Sequence, residues 1–527
     1  MSTTSAARVS GLLIPLFSMA SSRSWGIGEI SDLVPMSTWM RQAGQAALIM
    51  LPVSAMAEGQ HSPYSALSAM ALDPIYVSLA DVEEFAALGG EAALDEAMRR
   101  DLAVARAAPT VDYDRVRKLK RRALELAYAR FLDAEWRRQS TRARTFAAWA
   151  AGQDWWLGDY ALFRALHARF ARPWLRWDEP LRSRDARAIA DARHEHADEI
   201  RLHQYVQWIA ESQWRRAHRA TGLALFGDLP FMVSGDSADV WSRQDEFDLD
   251  ASVGVPSDAF SEDGQDWGLP PYRWDTVAAT DYAWLRQRAR RHAAIYDGYR
   301  VDHLVGFYRT FIRPPDEEPY FSPAEEPDQI ALGERLLSIF AGEGARVIAE
   351  DLGTVPDFVR ESLARLGVPG YKVLRWEREW KEPGQPFRDP AAYPPASVAT
   401  TGTHDTETLA EWWEGADAEE REAVGRIPAL ARRGVDWGTA AFTPAVRDAL
   451  LEVLLACGSD LVLLPVQDVF GWRDRINVPA TIGDDNWTWR LPWLVDTLGD
   501  QPEAAERAHW LRGACLRHGR VVDGVPR

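Results

Sequence analysis

Eight short runs rich in apolar and β-branched residues recur along this chain, with amphipathic stretches between most of them. They occupy residues 8–17, 46–53, 223–231, 296–304, 345–353, 371–376, 396–405 and 460–468. The segment 358–367, FVRESLARLG, shows the character of the spacers, with apolar residues three and four apart. Strand and helix alternating eight times predict a parallel sheet closed on itself, a (β/α)₈ barrel. The reading is of one catalytic domain over residues 1–527, with no separate C-terminal β domain. Two interruptions are too long for a single loop and helix. Residues 80–220 read as a mostly helical insertion between the second and third strands. The stretch 112–138 places Val116, Leu119, Leu124, Leu126 and Phe131 among charges, and 199–220 has similar character. Residues 233–290, rich in Asp, Trp, Pro and Gly, read as a loop insertion after the third strand, on the face where such barrels build their sites. The Pro- and acid-rich 314–330 reads as an exposed loop.

Charge and composition exclude several classes. The 527 residues carry 78 acidic and 60 basic side chains, a net −18, which repels a phosphate backbone and argues against nucleic acid. No apolar run approaches the ~20 residues of a membrane span. The short apolar run after Arg8 reads as a strand and not as a secretion signal, so the expected compartment is the cytoplasm. Cys457 and Cys515 are too few for a disulfide framework and read as reduced thiols. The 24 tryptophans offer flat apolar faces suited either to packing or to stacking on a sugar ring.

In a barrel of this kind the chemistry gathers where the strands end. Polar residues end the third strand (Asp228), the fourth (Arg300, Asp302, His303), the fifth (Glu350, Asp351), the seventh (His404, Asp405) and the eighth (Gln467, Asp468). Arg300 and Asp302 are two apart and share one side of a strand, which sets a guanidinium beside a carboxylate. An ionised carboxylate next to a protonated one is the equipment of retaining glycoside chemistry, with the two about 5–5.5 Å apart. For any one of these aspartates, a loop cap or a barrel-end salt bridge is the plainer reading. Asp302, His303, Glu350 and His404 include the donor types of a metal site. The paired histidines that usually accompany such a site are missing from the first strand, so no metal is expected. No phosphate-binding glycine loop and no serine elbow is present.

Seven blocks in order carry a resemblance to the 4-α-glucanotransferases (amylomaltases, disproportionating enzymes) of glycoside hydrolase family 77. They are 62–79, SPYSALSAMALDPIYVSL; 227–241, GDLPFMVSGDSADVW; 254–274, GVPSDAFSEDGQDWGLPPYRW; 300–303, RVDH; 348–353, IAEDLG; 401–408, TGTHDTET; and 475–490, RINVPATIGDDNWTWR. The resemblance implies transfer of α-1,4-glucan segments to the 4-OH of an acceptor, with maltooligosaccharides and α-1,4-glucans as both donor and acceptor and no cofactor. It implies Asp302 as nucleophile, Glu350 as general acid/base and Asp405 as a third carboxylate that binds hydroxyls of the distorted sugar. Arg300 and His404 become its neighbours at the scissile ring, Tyr64 the ring that stacks there, and Ser62 and His303 further substrate contacts. Asp258, Gln265 and Trp267 fall on a loop over the bound glucan, and Asn477 lies near the site. The chain departs from the family at Ala259, where an aromatic is usual, at Leu269, and at Leu304-Val305, departures that bear on chain length more than on reaction type. Two other functions stay open at this level: a hydrolase of the same chemistry, differing in water access, and a non-catalytic glucan-binding protein, whose mark would be a lost carboxylate.

Overall fold

The computed structural model describes residues 8–520, apart from 58, 257–263, 480, 482 and 484. Twelve strands are formed among them: β1 (Val9–Leu13), β2 (Ala47–Ile49), β3 (Ala224–Pro230), β4 (Ser252–Val255), β5 (Gln265–Leu269), β6 (Gly298–Asp302), β7 (Thr310–Arg313), β8 (Tyr320–Ser322), β9 (Arg346–Ala349), β10 (Gly370–Val373), β11 (Ser397–Thr400) and β12 (Leu461–Pro465). Eight close a barrel in the order β1-β2-β3-β6-β9-β10-β11-β12, with every neighbour parallel. All eight runs singled out in the sequence become barrel strands. They are apolar on both faces because the barrel interior and the surrounding helices both exclude water. Leu48, Leu225, Val301, Ile348, Val398 and Val462 are fully buried.

Between β2 and β3 the chain is largely helical. The helix Tyr113–Phe131 is capped by Asp112, which accepts from the Arg115 amide at 3.0 Å, and it buries Val116, Leu119, Ala123, Leu124 and Phe131 on one face. On that face Lys120 makes a buried ion pair with Glu29 at 2.7 Å and donates to the Val77 carbonyl at 2.8 Å. The helix Ala197–Thr221 packs along the barrel and stops at Gly222. There a φ of +63° reverses the chain into β3, a conformation glycine adopts without steric cost.

Two excursions leave the same rim, one after β3 and one after β6. They join in a four-stranded antiparallel sheet, β5-β4-β7-β8. The exposed-loop reading of 314–330 is therefore corrected in part. Tyr320–Ser322 pairs with β7, and Glu326 opens the helix Glu326–Gly342. Of its acidic residues, Glu326 and Asp328 fall in the first turn of that helix, where negative charge suits the dipole, whereas Asp316, Glu317 and Glu318 are exposed in the link between β7 and β8. Trp25, Trp174, Trp214, Trp241, Trp284 and Trp413 are among the largest fully buried side chains, so many of the tryptophans serve packing. Among the described residues no helix is long and apolar enough to cross a membrane, and no separate C-terminal β domain follows the barrel.

Candidate active site

The barrel register brings the polar strand ends together. Asp228 of β3 lies opposite Arg300 of β6, and Pro230 opposite Asp302. Val301 lies opposite Ala349 of β9, and Glu350 follows at once, its amide bonded to the Val301 carbonyl at 3.1 Å. Asp302 and Glu350 are thus next to one another on adjacent strands.

Arg300 is the hub. Its Nη2 meets Asp302 Oδ1 at 2.8 Å and its Nη1 meets Asp228 Oδ2 at 2.6 Å. It is almost wholly buried and held firmly protonated: burial works against its charge, and the Asp228 and Asp302 carboxylates outweigh that. Tyr64 donates from Oη to the same Asp228 oxygen at 2.8 Å, and its oxygen stands 3.0 Å from His404 Nε2. His404 Nε2 lies 3.2 Å from Asp405 Oδ2, and Asn477 donates to Asp405 Oδ1 at 2.7 Å. One continuous set of contacts therefore runs from Asp302 through Arg300, Asp228, Tyr64 and His404 to Asp405. The Tyr64 and His404 rings are stacked at 5.6 Å, and Trp487 packs against both.

The three carboxyls sit in different environments. Asp302 faces the Arg300 guanidinium. Glu350 has no cation at ion-pair distance among the described residues; its Oε2 accepts from the His303 amide at 2.8 Å and its Oε1 from the Leu352 amide at 3.2 Å. Burial, partly offset by Arg300 and reinforced by the Asp302 charge, pushes Glu350 up to about 7. At Asp405 burial acts upward, but the charge and hydrogen bond of His404, with the Asn477 amide, prevail and hold its carboxyl below the usual range. Burial lowers His404, yet the Asp405 carboxylate carries it above the ordinary histidine value.

His303 takes a left-handed conformation, φ +47°. Its ring lies 5.2 Å from Phe231 and 4.9 Å, edge-on, from Trp267 of β5. Gln265 reaches Trp267 Nε1 at 3.1 Å and is otherwise exposed. Among the described residues Ser62 bonds to no carboxylate; its hydroxyl accepts from the Tyr64 amide at 3.4 Å and shapes the turn that presents Tyr64. Asp258 and Ala259 lie outside the described residues. Among those residues, no group of three or more His, Cys, Asp or Glu is disposed to hold a metal ion.

The other strand-end polar residues divide. Asp228 belongs to the site, and its signal was present: it ends a strand in register with Arg300. Asp351 accepts from the Tyr371 amide of the neighbouring β10 at 2.7 Å, and Asp468 accepts from the Leu409 amide at the start of the helix Leu409–Gly415 at 2.6 Å, so both serve backbone amides. Trp487 and Arg475, which donates to the Asp405 carbonyl at 3.0 Å, come from the irregular 475–490 block, of which the resemblance had singled out Asn477 alone.

A family model described as 4-alpha-glucanotransferase, glycoside hydrolase family 77, matches residues 14–496. The chain belongs to that family. It is 30% identical over 503 residues to the 4-alpha-glucanotransferase of Chlamydia pneumoniae, covering 93% of this chain and 92% of that one. It is 32% identical to that of Thermus thermophilus, covering 86% and 89%. An amylomaltase from Streptococcus agalactiae, solved in complex with acarbose, superposes with a TM-score of 0.81 at 26% identity, over 98% of this chain and 100% of that one. A 4-alpha-glucanotransferase transfers glucan segments, and this chain is an enzyme of that kind.

Proposed function

We propose that this glucanotransferase works with retention through a covalent glycosyl intermediate on Asp302. The observation that carries the reading is the contrast between two neighbouring carboxyls. Asp302 is gripped by Arg300 at 2.8 Å, whereas Glu350 meets no cation at ion-pair distance among the described residues and is raised to about 7. Asp302, as the carboxylate, attacks the anomeric carbon. Glu350 gives its proton to the departing O4, so the C1–O4 bond breaks as the C1–Oδ ester forms. Glu350, now a carboxylate, takes the proton from the 4-OH of an acceptor glucan, whose oxygen displaces Asp302. Two inversions restore the configuration.

Asp405, kept ionised by His404 and Asn477, is assigned to hydroxyls of the ring undergoing reaction, and Tyr64 stacks on that ring. Donor and acceptor are α-1,4-glucans and maltooligosaccharides. The 233–290 segment covers them through Trp267, with Gln265 orienting the indole. Transfer outruns hydrolysis when an acceptor sugar displaces water from the closed site. Neither metal nor cofactor takes part, and activity is expected to survive exhaustive chelation, since His404 is engaged by Tyr64 and Asp405 and the His303 ring is packed against Phe231 and Trp267. The compartment proposed is the cytoplasm, in keeping with two free, buried cysteines.

Incubation with maltotriose alone tests the reading. Glucose together with a ladder of longer maltooligosaccharides is the expected outcome. Only shorter products, with reducing ends rising steadily, would mean a hydrolase, and no products would mean a binding protein.

A further inference from the structure

Phe231 is the first residue after β3, buried at 5% exposure. Its ring touches two points of the turn that follows Asp302: the His303 ring at 5.2 Å and the bare Cα of Gly306, where an added Cβ would lie 2.5 Å from the Phe231 ring. Its other neighbour is Trp267, at 6.0 Å. The backbone beneath it is fixed by Arg288, which is 1% exposed and makes no ion pair among the described residues. Arg288 instead donates to the carbonyls of Pro230, Phe231 at 2.9 Å and Met232 at 3.4 Å. A buried guanidinium given over to three successive carbonyls stiffens the chain where it leaves β3.

The turn that Phe231 presses on is not a relaxed one. Left-handed backbone is strained in a residue with a Cβ, and His303 adopts it with φ +47°. In that conformation the His303 amide donates to Glu350 Oε2 at 2.8 Å. We propose that Phe231, anchored by Arg288, is a positioning residue for the acid/base: by wedging the His303–Gly306 turn it keeps the His303 amide on Glu350 and so fixes where the Glu350 proton points. The proposal rests on the assignment of Glu350 as acid/base made above.

The test compares two donors that differ in their need for a proton. Cleavage of maltotriose expels a sugar whose O4 would leave as an alkoxide and so needs the proton of the acid; maltotriosyl fluoride loses fluoride, which does not depend on a carboxylic acid to the same degree. General acid catalysis supplies about 10²–10⁴-fold, so Phe231→Leu is expected to lose about tenfold in kcat/KM on maltotriose and less than about twofold on the fluoride. Phe231→Tyr, which keeps the ring, should restore most of the loss, and Arg288→Met should reproduce the Phe231→Leu pattern in weaker form. Equal losses on the two donors, or a loss that follows only the fall in thermal midpoint, would overturn the proposal. Glu350→Gln is run beside them. If it does not show the same dependence on leaving group, the assignment of Glu350 fails first. If Glu350→Gln shows it and Phe231→Leu does not, only the role of Phe231 fails.

Discussion

Asn477 donates its side-chain amide to Asp405 Oδ1 at 2.7 Å across 72 residues of chain. A hydrogen bond of this sort favours the charged carboxylate, and with His404 on the other oxygen it fixes the plane of the group. Asn477→Ala removes one support and leaves the second. Bonds to charged groups contribute about 1.5–3 kcal/mol, so a fall of about tenfold to a hundredfold in kcat/KM on maltotriose is expected. Steady-state rates with maltotriose check it, and an unchanged kcat/KM would mean that His404 alone suffices.

Asp302→Asn deletes the proposed attacking group while leaving its volume and its place beside Arg300. Turnover should fall by several orders of magnitude with the thermal midpoint little changed. Mass spectrometry of wild-type enzyme quenched with maltotriosyl fluoride should find the glycosyl adduct on the peptide carrying Asp302. An adduct on Glu350 would reverse the two roles.

Glu350, as the proposed acid, is expected to set the pH dependence. Its carboxyl is raised to about 7, first by burial, and the groups facing it are Arg300 and Asp302 of β6, the His303 amide and the neighbouring Asp351. The acid form is the active one for bond cleavage, so kcat/KM should hold below that value and decline as pH rises through about 7. A rate profile on maltotriose with no alkaline limb between about 6 and 9 would contradict the acid assignment.

The pair Lys120–Glu29 offers a stability test away from the site. Both side chains are at most 2% exposed, and they join the helix Tyr113–Phe131 to the segment after β1. Lys120→Met strands a buried carboxyl and should cost about 3–5 kcal/mol, whereas Lys120→Met with Glu29→Gln should cost clearly less. Chemical denaturation of the two variants decides. A double variant no more stable than the single would show that the amine matters for its bond to the Val77 carbonyl and not for the charge pair.

By itself the sequence determined the barrel and the carboxylates within it. Parallel strands buried on both faces must be written as apolar runs, so their number and order are local information. A carboxylate or guanidinium ending such a run has nowhere to go but the rim, and alternation along a strand alone sets Arg300 beside Asp302. Only the tertiary structure decided which strand-end acids gather around Arg300. Asp228 and Asp351 look alike in sequence, yet one meets Arg300 and Tyr64 while the other serves the Tyr371 amide. It also decided the difference between Asp302 and Glu350, because desolvation and the distance to a single guanidinium depend on neighbours from other strands. The antiparallel sheet that ties the β3 and β6 excursions was hidden for the same reason. Its pairing of Tyr320–Ser322 with β7 is stabilised by partners outside the segment, and three residues carry no periodicity of their own.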